Sequence, residues 1–120
     1  MNVYVATKFE EKARAREVMA ELSKAGHKIT YDWTQDDQIT PQQAAADVKG
    51  VLSADILVCI FEKDLAYRGA LVEFGLALGA GIPIFVLGDA LDNHLLFLQC
   101  SNVSRNYEAL LNTWEYTHGR

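Results

Sequence analysis

Residues 67–81 read YRGALVEFGLALGAG, flanked by two continuous apolar runs, Asp55–Phe61 (DILVCIF) and Pro83–Leu87 (PIFVL). The flanking runs are short and rich in β-branched and aromatic residues. Such runs mark strands covered on both faces. The segment between them reads as a helix of roughly four turns. Leu71, Val72, Phe74, Leu76 and Leu78 place apolar side chains on every face, so the helix is expected to be buried or nearly so. Gly75 and Gly79 lie one helical turn apart. Each costs about 1 kcal/mol against alanine in a helix interior, which predicts close packing against a neighbour. Glu73 is out of place in this setting. A carboxylate on a buried helix must be paired, neutralised or at work.

Working outward, the same strand–helix alternation recurs. Asn2 to Ala6 (NVYVA) is a buried first strand, and Thr7-Lys8-Phe9 is the turn after it. From Glu10 to Ala25, Val18, Met19, Leu22 and Ala25 recur at helical spacing, and Gly26 closes the helix. His27 to Trp33 alternates like a strand, and residues 34–40 are polar and loop-like, including the Asp36-Asp37 pair. Thr40 followed by Pro41 reads as an N-cap with proline at the first helical position; that helix runs to about Ser53. Beyond Leu87, a short helix or turn is expected over Asp92 to Leu98 and a short last strand over Cys100 to Val103. A terminal helix is expected over Arg105 to His118. Trp33 and Trp114 read as packing residues.

Alternation of this kind implies an α/β fold: a doubly wound, five-stranded parallel sheet with helices on both faces. Right-handed crossovers favour the flavodoxin-like, or Rossmann-like, order 2-1-3-4-5. The 120 residues make one domain, with no linker, repeat or low-complexity segment. The net charge of −5 gives no electrostatic support for binding a nucleic-acid polymer, whose partners favour basic surfaces. No apolar run reaches the roughly 20 residues a membrane helix needs. The chain enters its first strand without a signal peptide, and its two cysteines, Cys59 and Cys100, read as free thiols. A cytoplasmic protein is the expectation.

A sheet of this order binds ligands at the carboxyl ends of its strands, where the order reverses. The crevice is expected to draw on Thr7, Lys8 and Phe9 after strand 1. It also draws on Glu62, Lys63 and Asp64 after strand 3, and on Gly88, Asp89 and Asn93 after strand 4. Glu73, early in the helix after strand 3, can reach the same place. His27, His94 and His118 are far apart, and no Cys/His cluster offers a metal site; no cofactor is expected. There is no G-x-S-x-G elbow, no P-loop and no G-x-G-x-x-G after strand 1. The remaining candidates are Glu73, Asp47 (eight residues before Asp55) and Tyr4. Tyr, Asp and Glu without a metal suit nucleophilic or acid–base work at a carbon bearing developing positive charge, as in glycosyl transfer.

These residues carry a resemblance. Tyr4-Val-Ala, Asp47 ahead of Ala54-Asp55-Ile-Leu-Val, and Gly69-Ala-Leu-Val-Glu73-Phe-Gly75 resemble the nucleoside 2-deoxyribosyltransferase family, whose superfamily includes the 2′-deoxynucleoside 5′-phosphate N-hydrolases. The similarity runs from strand 1 to about Leu87 and is closest to short bacterial and phage-type members. It implies an enzyme, an N-glycosidase or deoxyribosyltransferase, that cleaves the N-glycosidic bond of a nucleoside or its 5′-monophosphate. Glu73 would attack C1′ and form a covalent glycosyl-enzyme, resolved by water or a free base. Tyr4 would hold that carboxylate, and Asp47 would contact or protonate the base. Thr7, Lys8, Phe9, Asp64, Arg68, Gly69 and Asn93 are the expected substrate-binding residues. The resemblance also implies a homodimer or larger assembly with shared sites.

Two departures bear on the substrate. Six residues before the glutamate, the transferases carry an aspartate and the nucleotide hydrolases a serine; Tyr67 stands there. The strand-1 turn lacks the glycine usual in both branches; Thr7 stands there instead, with Lys8 next. A lysine there, near a helix N-terminus, favours a phosphate, and so a nucleotide and hydrolysis. The alternative is a non-catalytic nucleotide-binding or sensing module on the same fold.

Overall fold

The computed structural model describes residues 1–112. Five parallel strands form one sheet in the order β2-β1-β3-β4-β5. They are β1 (Asn2–Ala6), β2 (Lys28–Ile29), β3 (Ile56–Ile60), β4 (Ile84–Leu87) and β5 (Val103–Ser104). Three helices connect them: α1 (Lys12–Lys24), α2 (Pro41–Leu52) and α3 (Arg68–Gly79). β1 and β3 run side by side with Tyr4 opposite Leu57 and Ala6 opposite Cys59. All five residues of β3 are buried, as the uninterrupted apolar run requires. The order reverses between β1 and β3, which opens the crevice at their carboxyl ends.

Local signals set the element ends. Gly26, at φ 97°, takes the left-handed turn that ends α1. Thr40 caps α2 in a reciprocal box: its hydroxyl accepts from the Gln43 N–H, and the Gln43 side chain accepts from the Thr40 N–H. α2 and α3 pack together on the side of the sheet that Tyr4 faces. α1 lies with residues 108–112, which are helical; Tyr107 Oη donates to Glu21 of α1 at 3.1 Å. The rest of the terminal helix expected over Arg105 to His118, and Trp114 with it, lies outside the described residues. No helix among the described residues is long and apolar enough to cross a membrane.

Several boundaries differ from the sequence reading. The strand expected over His27 to Trp33 shrinks to two residues. Asp32 accepts from the Thr34 N–H and turns the chain into a 3-10 turn at Trp33–Gln35. Lys12 rather than Glu10 begins α1, because Phe9–Glu11 forms a 3-10 turn first. The segment over Asp92 to Leu98 is turns followed by a 3-10 turn at Leu96–Gln99, and the last strand begins at Val103.

The larger correction concerns α3. It is not buried all round: Ala70, Phe74 and Ala77 face the core, whereas Val72 is 70% exposed. Nor does close packing explain its glycines. A Cβ added at Gly75 or Gly79 would meet nothing within 4 Å. The sheet lies under one side of the helix, so Leu71, Leu76 and Leu78 are only partly buried and Val72 stays outside.

Candidate active site

The crevice is a cleft of about 910 Å³. Its floor brings together one residue from each of three elements: Tyr4 from β1, Asp47 from α2 and Glu73 from α3. Tyr4 sits mid-strand, fully buried, with its ring directed toward α2 and α3. Its hydroxyl donates to Glu73 Oε2 at 2.7 Å. Asp47 Oδ1 is buried without a hydrogen-bond partner among the described residues. A phenol has one proton to give, and Tyr4 gives it to Glu73. Asp47 can therefore bond the same hydroxyl only by donating a proton of its own. Otherwise its oxygen is left for whatever enters the cleft.

Burial shifts all three groups. Desolvation pushes the Glu73 carboxyl up to about 7; the Tyr4 hydrogen bond pulls it down and the charge of Asp47 adds to the rise. Asp47 is also raised, first by burial, with Tyr4 lowering it and Asp36 raising it. Tyr4 is held far above the usual phenol range by burial and by the two acids, so it remains a donor. The trio thus offers a carboxylate that ionises near neutrality, a phenol that orients it and a second carboxyl able to hold a proton. A separation of acid and base roles by environment is what glycosidic chemistry uses.

Among the other expected residues, Thr7, Lys8, Phe9, Arg68 and Gly69 line the cleft. Thr7 Oγ1 donates to the Ile60 carbonyl at 2.8 Å and ties the ends of β1 and β3 together. Lys8 Nζ reaches Asp64 Oδ2 at 2.6 Å, and Asp64 also accepts from the Ala66 N–H. Asp64 is thereby held below the usual carboxylate range, at the rim and not among the lining residues. Asn93 lies beyond β4 in a left-handed turn, at φ 68°, and does not line the cleft; neither do Gly88 and Asp89. Arg68 opens α3 and has no ion-pair partner among the described residues. No side chain caps that helix, so its first amide groups are open to the cleft.

Tyr67, at the position that separates the two branches of the resemblance, turns away from the cleft. It is buried, edge-on to Phe61 with centroids 5.0 Å apart, and its hydroxyl accepts from the Lys63 N–H at 2.8 Å. It shapes the loop before α3, and Ala66 and Arg68 on either side meet the cleft instead.

The other wall contains residues the sequence read differently. Trp33 is a packing residue, with Nε1 donating to the Val5 carbonyl at 2.6 Å, yet it also lines the cleft beside Phe9, 6.4 Å between centroids. Asp36 is not a free loop residue: it accepts from Tyr31 Oη at 2.6 Å. The adjoining Asp37, Gln38 and Ile39 line the cleft, and Ile39 is 100% exposed. An isoleucine in a polar loop was the signal available for this wall.

No family model matches the sequence, and no curated protein matches it either. Solved structures do resemble the fold. The CMP N-glycosidase BcmB of Clostridium botulinum superimposes with a TM-score of 0.67 at 20% identity, covering 98% of this chain and 99% of that one. A conserved protein from Enterococcus faecalis V583 superimposes with a TM-score of 0.61 at 17% identity, covering 94% of this chain and 87% of that one.

Proposed function

We propose that this protein is an N-glycosidase of nucleoside 5′-monophosphates, working through a covalent glycosyl-glutamate. The observation that carries the reading is the Tyr4–Glu73 hydrogen bond of 2.7 Å on the floor of a cleft shared with Asp47. In the reaction, the Glu73 carboxylate attacks C1′ and the C1′–N bond breaks. Its electron pair leaves with the base, which takes up a proton from Asp47. Water then attacks C1′ and gives its proton to the Asp47 carboxylate, the Glu73–C1′ bond breaks with its electron pair returning to Glu73, and the products are the free base and a pentose 5-phosphate. Tyr4 orients the nucleophile throughout and offers its proton to the carboxylate each time the ester opens.

Support for a nucleotide comes from the other end of the cleft. Arg68 and the uncapped start of α3 present a guanidinium and free amide groups, the chemistry that holds a phosphate. Lys8, although paired with Asp64, adds a second cation there. The likeness to a structure described as a CMP N-glycosidase points the same way. Phe9 and Trp33 offer the base an aromatic wall. Asp64 and Asn93 keep no substrate role in this reading. A homodimer is part of it: the exposed Val48, Leu52 and Val72 of α2 and α3 supply an apolar face for a second copy.

The test is base release. Ribo- and deoxyribonucleoside 5′-monophosphates and their parent nucleosides are incubated with the protein and the free base is separated by chromatography. Release from at least one monophosphate, faster than from its nucleoside, is expected. Tight binding of a nucleotide with no release from any would replace the enzyme with a binding module. A second free base added to the mixture separates transfer from hydrolysis.

A further inference from the structure

We propose that Gly50 is a positioning residue, whose missing side chain lets the Tyr4 ring lie against α2 and so sets how far Asp47 stands from the Tyr4–Glu73 pair. This rests on the glycosidase reading for its meaning, but its geometry stands independently. A Cβ built on Gly50 would lie 2.9 Å from Tyr4 Cδ2, 3.0 Å from Tyr4 Cε2 and 3.0 Å from Tyr31 Cβ. Contacts that short force something to move.

None of the neighbours is a free end. Tyr4 is buried at 0% exposure and tethered to Glu73. Tyr31 is tethered through its hydroxyl to Asp36. The Gly50 carbonyl is itself held, accepting from Thr30 Oγ1 at 2.7 Å, so α2 is clamped to the end of β2 at this point. Asp47 stands one turn back on the same helix face. A methyl at position 50 must either press the Tyr4 ring toward α3 or lift α2, and Asp47 with it, off the sheet. Either movement changes the spacing of the trio. The glycines of α3 show that this is not a general property of helical glycine here: Gly69, Gly75 and Gly79 have open space where a Cβ would go. Glycine is unfavourable in a helix interior, and at position 50 the Tyr4 ring gives the reason for it.

The groups around Glu73 are Tyr4 from β1, Asp47 from α2 and the Cys59 thiol from β3, with Asp36 acting on Asp47. Spacing within the trio is therefore readable as the titration of the Glu73 carboxyl, followed by carbon-13 NMR on the full chain. Gly50→Ala is compared with Val51→Ala, which weakens the adjacent buried position of α2 without adding an atom beside Tyr4. Gly50→Ala is expected to move the Glu73 midpoint by about 0.5 pH unit or more. It is also expected to lower kcat for base release by about tenfold to a hundredfold, with KM within about twofold. Val51→Ala is expected to leave the midpoint in place. If Gly50→Ala titrates and turns over like Val51→Ala, Gly50 has no positioning role. If the wild-type protein releases no base, the glycosidase reading fails, and the titration still decides the case for Gly50. Should Gly50→Ala not fold, the same change is made with Tyr4→Val. The alanine is expected to be tolerated once the ring is gone; equal loss of folding in both backgrounds would overturn the proposal.

Discussion

Tyr4 Oη donates to Glu73 Oε2 at 2.7 Å, joining the middle of the first strand to the second turn of α3 across 69 residues of sequence. The bond gives the buried carboxylate a partner without neutralising it. An arginine or lysine in that place would hold Glu73 ionised at all working pH values. A phenol leaves it poised near neutrality.

Removal of the Glu73 carboxylate is expected to abolish base release. Glu73→Gln keeps the shape and an acceptor for Tyr4 but cannot form the ester. A fall of about a thousandfold or more in turnover is expected, with nucleotide binding retained by calorimetry. Residual activity within tenfold of wild type would remove Glu73 from the nucleophile's place.

The pH dependence of activity follows from the same group. Glu73 must be ionised to attack, so kcat/KM for base release is expected to rise with pH through about 7, and to fall where Asp47, whose carboxyl is also raised by burial, loses the proton it gives to the base. Tyr4→Phe removes the interaction that lowers this value. The rising limb is then expected to move to higher pH, with turnover reduced about tenfold or more. A limb that stays in place would show that another group controls it.

Stability is expected to change with pH in the opposite direction. The folded-state value of Glu73 lies above its ordinary 4.5, at about 7. The folded protein therefore binds the proton more tightly than the unfolded chain. Its contribution is fully present below about 4.5 and is lost as pH rises through about 7, a change on the order of 3 kcal/mol at most. Glu73→Gln should accordingly stabilise the protein more at pH 8 than at pH 4, as read by thermal denaturation. An equal effect at both values would mean that the carboxyl is not shifted.

Arg68→Ala is expected to separate substrates by charge. KM for a nucleoside monophosphate should rise about tenfold, the worth of a charge-assisted hydrogen bond, while the parent nucleoside is unaffected. Equal effects on both would place the phosphate elsewhere.

The expected assembly is checked by mass in solution at micromolar concentration. A dimer is expected, and a Val72→Glu substitution, which puts charge on the exposed face of α3, is expected to weaken it. A monomeric wild-type protein would end this part of the proposal.

Much of the architecture was legible in local pattern. Apolar runs without helical period marked β1, β3 and β4, and their alternation with helical segments implied the parallel order. Gly26 and the Thr40-Pro41 pair marked helix ends because turn and cap chemistry acts within four residues. The same logic failed where a few polar contacts redirect the chain. Asp32, bonded to Thr34, cut short the strand that alternation implied, and nothing in the period of residues 27–33 records that bond.

The sequence by itself determined the sheet, its order and the presence of an unusual carboxylate beside the switch point. Periodicity reports which faces are apolar, and chain connectivity does the rest. Only the tertiary structure decided what that carboxylate touches. It placed Tyr4 within 2.7 Å of Glu73, left Asp47 Oδ1 without a partner, gave Lys8 to Asp64 and turned Tyr67 into the core. It also left Val72 outside a helix that reads as apolar on every side. Those outcomes depend on distances between segments far apart in sequence. Such distances are set by how closely helix and sheet can pack, down to the missing Cβ of Gly50 against the Tyr4 ring.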